Sequence, residues 1–221
     1  MIAAHNLIYR AFTVNMNTLV HKMKLCIADI NDVSENDISR ISNERAEKAK
    51  RYRRTDDRKR CIAGGLLIKK FLGGTNLTVN KYGKPTADNG MYFNLSHSGR
   101  YILFALSDAE VGCDIESIKI IDAEKLGKIV FCKNEMNGIC SSTDKTGKFY
   151  EFWTKKESFL KCIGKGFHRN AKSVDVTKDS FDDNGKTYYF KVFKFSDYNV
   201  SVCSTENDFP DIIEFIDLKM F

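Results

Sequence analysis

The stretch that decides the fold reads Trp153-Thr154-Lys155-Lys156-Glu157-Ser158-Phe159-Leu160-Lys161. With its flanks, this stretch has apolar residues at helical spacing, which predicts an amphipathic helix with one apolar stripe. The members of that stripe are Phe149, Phe152, Trp153, Leu160 and Ile163. Lys156 falls inside the stripe. Because a buried ammonium is costly without a partner, we expect an acidic or hydrogen-bonding group beside it.

Glu157 and Lys161 are four residues apart, so their side chains lie one above the other at the edge of the stripe. The simplest interpretation is an ordinary amphipathic helix with an ion pair on its surface. A second interpretation places both side chains in a functional site. Two further stretches of the sequence favour that second interpretation.

The first of these is Val111-Gly112-Cys113-Asp114-Ile115-Glu116, which follows an apolar run at 101–106 and a short polar turn. The pattern predicts a β-hairpin in which Asp114 and Glu116 point to the same face. Two such carboxylates repel unless a cation or a base lies between them. Oxygen ligands suit Mg²⁺, and if the fold brings Glu157 to the same place, Asp114, Glu116 and Glu157 together are predicted to hold one metal ion. A solvent-exposed strand face is the alternative.

The other stretch lies upstream and reads Phe93-Asn94-Leu95-Ser96-His97-Ser98. Two hydroxyls flank a histidine at the end of a short alternating segment. Serine and histidine can donate hydrogen bonds to phosphate oxygens, and a protonated histidine adds positive charge. Taken alone, such a pattern is more often a polar turn than a binding site.

In their order and spacing, the three stretches resemble motifs of the 4'-phosphopantetheinyl transferases, of the larger, surfactin-synthetase-activating type. Further matching residues are Gly83-Lys84-Pro85 and Lys156-Glu157-Ser158, followed by Lys161. The motifs cover about residues 83–166, and a looser likeness extends from about residue 23 to the end of the chain. The first 22 residues have no counterpart in the family pattern.

The resemblance implies an α+β fold of two similar α/β halves with antiparallel sheets, related by a pseudo-twofold axis, with the site between them. It divides the chain into an N-terminal extension of unclear status at 1–22, an N-terminal half on the nucleotide side at 23–107, and a C-terminal half at 108–221 with the metal site and the catalytic helix. A chain built as such a pseudo-dimer is expected to be a monomer.

The resemblance also implies the reaction, which is Mg²⁺-dependent transfer of 4'-phosphopantetheine from coenzyme A (CoA) to a serine of an apo acyl or peptidyl carrier protein. Adenosine 3',5'-bisphosphate is the other product. Glu157 and Lys161 are the expected catalytic residues. The family pattern also makes Glu135 a candidate for a place near the metal site, but an acid at a helix N-terminus is the interpretation that we favour for it. The residues expected to bind CoA are Arg45, Lys48, Arg60, Lys84, Pro85, Ser96, His97 and Lys161.

Length and composition agree with a globular chain. Its 221 residues, 43% of them hydrophobic, suffice for one large domain or two small ones. Seven cysteines without a C-x-x-C pair argue against a disulfide framework and a zinc site, and favour a reducing cytoplasm. No apolar run approaches a membrane span, and the N-terminus lacks a signal-peptide core. We therefore expect a cytoplasmic protein without a membrane partner.

Positive charge is concentrated in residues 45–60, which hold nine Lys/Arg and three Asp/Glu. The charge of this segment alone therefore equals the net charge of the whole chain, +6. A basic block favours an anionic partner, or is simply a solvated helix face. A nucleic-acid-binding protein is one alternative, but no nucleic-acid motif supports it and it leaves the carboxylates unexplained. A second alternative is a CoA-binding regulator that has lost catalysis. The presence of all three carboxylates argues against that alternative.

Overall fold

The computed structural model describes residues 23–73, 75–165 and 170–220, so the predicted extension at 1–22 lies outside the described residues. The α-helices of the described ranges are α1 (Asn43–Lys50), α2 (Thr55–Leu72), α3 (Ala123–Val130), α4 (Lys133–Ser141) and α5 (Lys145–Ile163). The strands are β1 (Lys24–Asp29), β2 (Leu77–Val79), β3 (Pro85–Ala87), β4 (Tyr92–Ser98), β5 (Tyr101–Ser107), β6 (Val111–Ser117), β7 (Ser180–Asp183), β8 (Lys186–Phe195), β9 (Tyr198–Ser204) and β10 (Glu214–Phe215). None of the helices in these ranges has the length and apolar character to cross a membrane.

The described strands form two four-stranded sheets and a small hairpin. The first sheet has the order β10-β1-β5-β4 and is antiparallel except where β1 and β10 run parallel. The second has the order β6-β9-β8-β7 and is antiparallel throughout, while β2 and β3 form the hairpin. The expectation of a mixed α/β chain with antiparallel sheets is therefore confirmed. The pseudo-twofold axis and the division after residue 107 stay predictions.

The hairpin predicted between residues 101–106 and 110–116 is wrong. β5 pairs with β1 and β4 in the first sheet, whereas β6 pairs with β9 in the second. The hairpin is instead formed by β4 and β5, whose turn contains Gly99. A short polar turn between two strands is compatible with a hairpin and with a change of sheet, so local sequence does not separate the two.

Alternating side chains of the strands enter two different cores. On β1, Leu25 and Ile27 lie in the core between the two sheets, while Cys26 and Ala28 face the core that contains α2. The core between the sheets also receives one face of β6, formed by Val111, Cys113 and Ile115. The opposite face of β6 is thereby directed toward α5, which packs against it.

Helix α5 begins after Asp144, whose side chain accepts a hydrogen bond from Gly147 N, and ends at Gly164, which adopts a left-handed conformation. The single apolar stripe expected from the sequence was incomplete, because α3 and α4 pack on this helix as well as β6 and β9. Buried residues outside the expected stripe are Tyr150, Thr154, Lys155, Ser158, Phe159 and Cys162. Several are small or polar, so apolar periodicity does not reveal them.

The acidic partner expected for Lys156 is present. Lys156 Nζ lies 2.9 Å from Glu135 Oε2, and the side chains are 2% and 0% exposed. The same ammonium donates to Ala171 O at 2.7 Å and to Val174 O. The buried ammonium of Lys156 thus has the partners that its burial requires, namely one carboxylate and two backbone carbonyls.

Helix α5 approaches β6 most closely at Gly112. A Cβ atom at this position would lie 2.1 Å from Ser158 O and 2.3 Å from Cys162 N. Both are backbone atoms of the helix, so a side chain cannot be accommodated without moving α5. The missing side chain therefore lets α5 lie directly on the strand face that carries Asp114 and Glu116.

We expect Gly112→Ala to lower the free energy of unfolding by about 1 to 3 kcal/mol, the usual scale of overpacking. Urea denaturation measures the change. Gly138→Ala is the matched control, because the nearest atoms there are ring carbons of Phe152 at 3.2 and 3.3 Å rather than backbone. A loss in Gly112→Ala no larger than that of the control would contradict the close approach of helix and strand.

Candidate active site

Strands β4 and β6 belong to different sheets but lie side by side. Every second side chain of β4 accepts a hydrogen bond from a backbone N–H group of β6. These bonds stand where backbone–backbone hydrogen bonds would join two strands of one sheet. These bonds run from Cys113 N to Asn94 Oδ1 (2.9 Å), from Ile115 N to Ser96 Oγ (3.4 Å) and from Ser117 N to Ser98 Oγ (3.1 Å). The Ser-His-Ser motif thus lies at the junction of the two sheets.

The two serines of that motif also orient the two carboxylates of β6. Ser96 Oγ donates to Asp114 Oδ1 at 2.7 Å, and Ser98 Oγ donates to Glu116 Oε2 at 2.9 Å. The sequence pattern predicted a phosphate-binding role for Ser96 and no role for Ser98. The equal two-residue spacing of the serines and of the carboxylates is the signal that could have suggested this pairing.

Trp153 joins the same group of residues. Its ring stacks on Phe149, and its Nε1 lies 3.4 Å from Glu116 Oε1 as a hydrogen-bond donor. Glu116 therefore receives one donor from β4 and one from α5. The contact of Trp153 with a carboxylate was not foreseen, because the helical pattern shows only that its ring packs.

Lys161 pairs with Asp114 rather than forming the surface ion pair with Glu157. Its Nζ lies 2.6 Å from Asp114 Oδ1 and 2.9 Å from Ser96 Oγ, and its side chain is 28% exposed. Burial lowers the pKa of Lys161, but the attraction of Asp114 outweighs this, so the pKa is raised overall. The ammonium thus stays charged beside the buried carboxylate.

The three predicted metal ligands carry more negative charge than Lys161 balances. Burial raises the pKa of Asp114, and it also raises that of Glu116, where repulsion from Asp114 adds to the effect. The pKa of Glu157 is raised by burial and then by Asp114, with Lys161 opposing. A second cation would therefore stabilise the cluster.

The structure also offers oxygen ligands for such a cation. Asp114 Oδ2 is buried and has no hydrogen-bond partner among the described residues. Glu157 lies close enough to Asp114 and Glu116 for their negative charges to raise its pKa, so it supplies a further carboxylate here. A buried carboxylate oxygen without a donor, beside two further carboxylates, fits Mg²⁺, which prefers oxygen ligands.

Glu157 and Lys161 line a cleft of about 270 Å³. The turn at 82–85 lines it too, which brings the Gly-Lys-Pro motif to the same place as the end of α5. The remaining lining residues are Asn94, Leu95, Leu160 and Gly164. Lys84 and Pro85, expected to bind CoA, thus lie at this cleft, although Lys84 Nζ donates to Val111 O at 3.0 Å and Cys162 O at 2.7 Å.

A larger cleft of about 700 Å³ lies between helices α1 and α2 and the β2–β3 hairpin. Arg45 and Lys48 line it, and Pro85 lines both clefts. Lys48 is exposed, whereas Arg45 is half-buried and its Nε donates to Cys61 O at 3.0 Å. These two cations from the basic block therefore share a cavity.

Arg60 lies elsewhere, at the turn between β4 and β5. Its Nε donates to Gly99 O at 3.0 Å, and its Nη1 lies 2.7 Å from Asp57 Oδ1. Burial lowers the pKa of His97, and the nearby charges of Arg60 and Lys161 lower it further. The protonated histidine expected from the sequence is therefore disfavoured without an anion beside it.

Glu135 is not bonded to the predicted metal ligands. Its carboxylate accepts hydrogen bonds from Cys132 N at 2.8 Å and Val176 N at 2.9 Å, besides pairing with Lys156. Ligand atoms of Cys132, Glu135 and Asp175 all lie within 4.8 Å of one another, as in a metal site. The ammonium of Lys156 already supplies a cation there, so we interpret this group as structural.

Known proteins with sequences similar to this one are 4'-phosphopantetheinyl transferases. The family model of the 4'-phosphopantetheinyl transferase superfamily matches residues 110–207. The 4'-phosphopantetheinyl transferase Sfp of Bacillus subtilis (strain 168) is 30% identical over 203 residues, covering 83% of this chain and 90% of that protein. The 4'-phosphopantetheinyl transferase gsp of Aneurinibacillus migulanus is 33% identical over 183 residues, covering 75% and 77%.

A solved structure, the holo-acyl-carrier-protein synthase (AcpS) of Thermotoga maritima, aligns with a TM-score of 0.35 and 15% identity over 43% of this chain and 62% of that chain. The sequence relationship to Sfp spans most of both proteins, and the matched range includes the carboxylates and α5. The chain therefore belongs to the 4'-phosphopantetheinyl transferase superfamily and is a transferase of the Sfp type.

Proposed function

We propose that this protein transfers the 4'-phosphopantetheine group of CoA to a serine hydroxyl of an apo acyl or peptidyl carrier protein and releases adenosine 3',5'-bisphosphate. The observation that supports this best is the gathering of three carboxylates and one lysine at the end of α5. Phosphoryl transfer needs groups that hold a cation, accept a proton and offset charge on phosphate oxygens, and this gathering supplies each of them.

Mg²⁺ is proposed to be held by Asp114, Glu116 and Glu157. The buried Oδ2 of Asp114, which lacks a donor among the described residues, is one ligand atom for it. When bound, the cation supplies charge neutralisation for the diphosphate. Ser96 and Ser98 then keep the role that their hydrogen bonds indicate, which is to orient Asp114 and Glu116.

Glu157 is proposed to accept the proton of the serine hydroxyl. Burial and the neighbouring Asp114 raise its pKa, which makes its carboxylate a stronger base than an exposed glutamate. The serine oxygen bonds to the phosphorus that carries pantetheine, and the bond from that phosphorus to the bridging oxygen breaks. Lys161, held near this point by Asp114, offsets the charge on the departing phosphate.

The nucleotide end of CoA is proposed to lie in the larger cleft. Arg45 and Lys48 supply positive charge there, and Pro85 lines both this cleft and the one at Glu157. CoA carries a 3'-phosphate and a 5'-diphosphate on its nucleotide. Two neighbouring clefts suit such a ligand, because Arg45 and Lys48 line one and Lys161 lines the other. The basic block at 45–60 then serves CoA rather than nucleic acid.

Glu157→Gln is expected to keep the fold and most of the CoA affinity while lowering transfer by about a hundredfold or more, the usual scale for losing a general base. Lys161→Ala should weaken CoA binding as well as turnover, because its charge meets the diphosphate before the reaction. Titration calorimetry with CoA and steady-state carrier labelling measure the two effects.

Glu151→Gln is the matched control for this pair, since Glu151 lies on the same helix but forms an ion pair with Lys148 at 2.8 Å. Its transfer rate should equal that of the unmodified protein. Near-normal turnover in Glu157→Gln would show that Glu157 is not the general base and that α5 has only a structural role.

The direct test of the function is incubation with fluorescent CoA, Mg²⁺ and a small panel of apo carrier proteins. Label should appear on the carrier serine and disappear when EDTA is added. Binding of CoA without labelling of any carrier would favour a CoA-binding regulator. A filter-binding assay with RNA and DNA, expected to be negative, examines the remaining alternative.

A further inference from the structure

The turn between β2 and β3 is fastened to the far end of α5. Asn80 Nδ2 donates to Gly164 O at 3.2 Å, and Lys84 Nζ donates to Cys162 O at 2.7 Å. The same ammonium donates to Val111 O, at the start of β6, at 3.0 Å. The last carbonyls of a helix have no partner within it and carry partial negative charge, so an amide and an ammonium stabilise this end.

The turn is also held internally by Asn80. Its Oδ1 accepts hydrogen bonds from Tyr82 N and Lys84 N, both at 2.9 Å. The backbone adds two bonds, from Asn80 N to Lys84 O and from Gly83 N to Asn80 O, both at 2.9 Å. One side chain thus rigidifies the turn with its oxygen and joins it to α5 with its nitrogen.

Gly164, at the C-terminal end of α5, leaves room for the side chain of Lys84. A Cβ atom on Gly164 would lie 2.7 Å from Lys84 Cδ, so the aliphatic stem of Lys84 crosses the helix end where a side chain is missing. Its ammonium donates to two backbone carbonyls, those of Val111 and Cys162. Burial lowers the pKa of Lys84, in agreement with an ammonium enclosed by protein rather than exposed for a phosphate.

We propose that Asn80 and Lys84 are positioning residues that fasten the 82–85 turn to the C-terminal end of α5 and so set the width of the cleft at Glu157 and Lys161. The turn and the two catalytic side chains line the same cleft, and the fastening points lie one turn or less beyond Lys161. Lys84 therefore acts through the position of the turn, not by contact with a phosphate of CoA. The catalytic part of this inference rests on the proposed function.

The test compares Lys84→Met, which keeps the stem and removes the ammonium, with Lys81→Met, an exposed lysine of the same turn whose ammonium lies over the Tyr82 ring. Hydrogen exchange of peptides covering 80–85 and 158–165 should accelerate at least about tenfold in Lys84→Met and remain unchanged in the control. The rate of transfer should fall by about tenfold or more, as expected for misplaced catalytic groups.

A comparison of CoA with dephospho-CoA separates positioning from phosphate binding. In Lys84→Met the preference for CoA should stay within about twofold of that of the unmodified protein, since kcat falls with both substrates. Loss of this preference with unchanged hydrogen exchange would overturn the proposal and assign Lys84 to the 3'-phosphate. Unchanged exchange and unchanged turnover would overturn it as well.

Asn80→Asp provides a second variant in case Lys84→Met does not fold. The carboxylate can still accept from Tyr82 N and Lys84 N, but it cannot donate to Gly164 O. Exchange should again accelerate at 158–165, and an unchanged rate there would contradict the proposal. Because hydrogen exchange needs no turnover, it tests the fastening even if the protein transfers nothing to a carrier.

Discussion

Asp114→Asn should lower carrier labelling by about a thousandfold, because Asp114 is a proposed ligand of Mg²⁺ and loss of a metal ligand removes several kcal/mol of charge stabilisation. The fold should survive. The amide oxygen can still accept from Ser96 and Lys161, and the amide nitrogen replaces Oδ2, the oxygen without a donor among the described residues. The change therefore removes a candidate ligand atom while keeping the hydrogen bonds that hold the side chain.

Three measurements check this expectation, namely steady-state labelling, calorimetric titration with Mg²⁺ and CoA, and urea denaturation. Asp211→Asn is the control, because this carboxylate is 87% exposed and contacts Lys191 at the surface. Mg²⁺ affinity should fall in Asp114→Asn and not in the control. Labelling by Asp114→Asn within about tenfold of the unmodified protein would contradict the metal assignment, since such a change is far below the loss of a ligand.

Removal of the Glu135 carboxylate should lower the free energy of unfolding more than Gly112→Ala does. Glu135→Leu leaves the ammonium of Lys156 buried without its partner, which typically costs about 3 to 5 kcal/mol of unfolding free energy. The two backbone amides that Glu135 accepts from, Cys132 N and Val176 N, lose their partner as well. Urea denaturation followed by circular dichroism measures the change.

The double variant Glu135→Leu/Lys156→Met shows how much of that loss comes from the unpaired charge. It should recover at least about half of it, because replacing both members of a buried ion pair by apolar residues is often close to neutral. Glu151→Leu, which removes a half-exposed partner of Lys148, is the control and should have little effect. A double variant as unstable as Glu135→Leu would mean that the amides, and not Lys156, account for the loss.

Several features followed from the sequence alone because they depend on neighbours along the chain. The helix ending at Gly164, the first strand near residue 24 and the common face of Asp114 and Glu116 are consequences of local periodicity. The order and spacing of the motifs identified the family. The cost of burying Lys156 predicted a partner, although it did not say that Glu135 would be that partner.

Only the tertiary structure decided which groups meet. The sequence suggested a pair of Glu157 with Lys161, but Lys161 bonds to Asp114, and Lys84 bonds to carbonyls at the end of α5 and the start of β6.

These contacts join residues 47 and 78 positions apart, and they exist because the edge of β4 lies beside β6 and Gly112 admits α5 onto that strand. Local patterns set which face a side chain occupies. The partner it finds there depends on how separate sheets and helices pack, because the free energy of burial is shared among residues far apart in the chain.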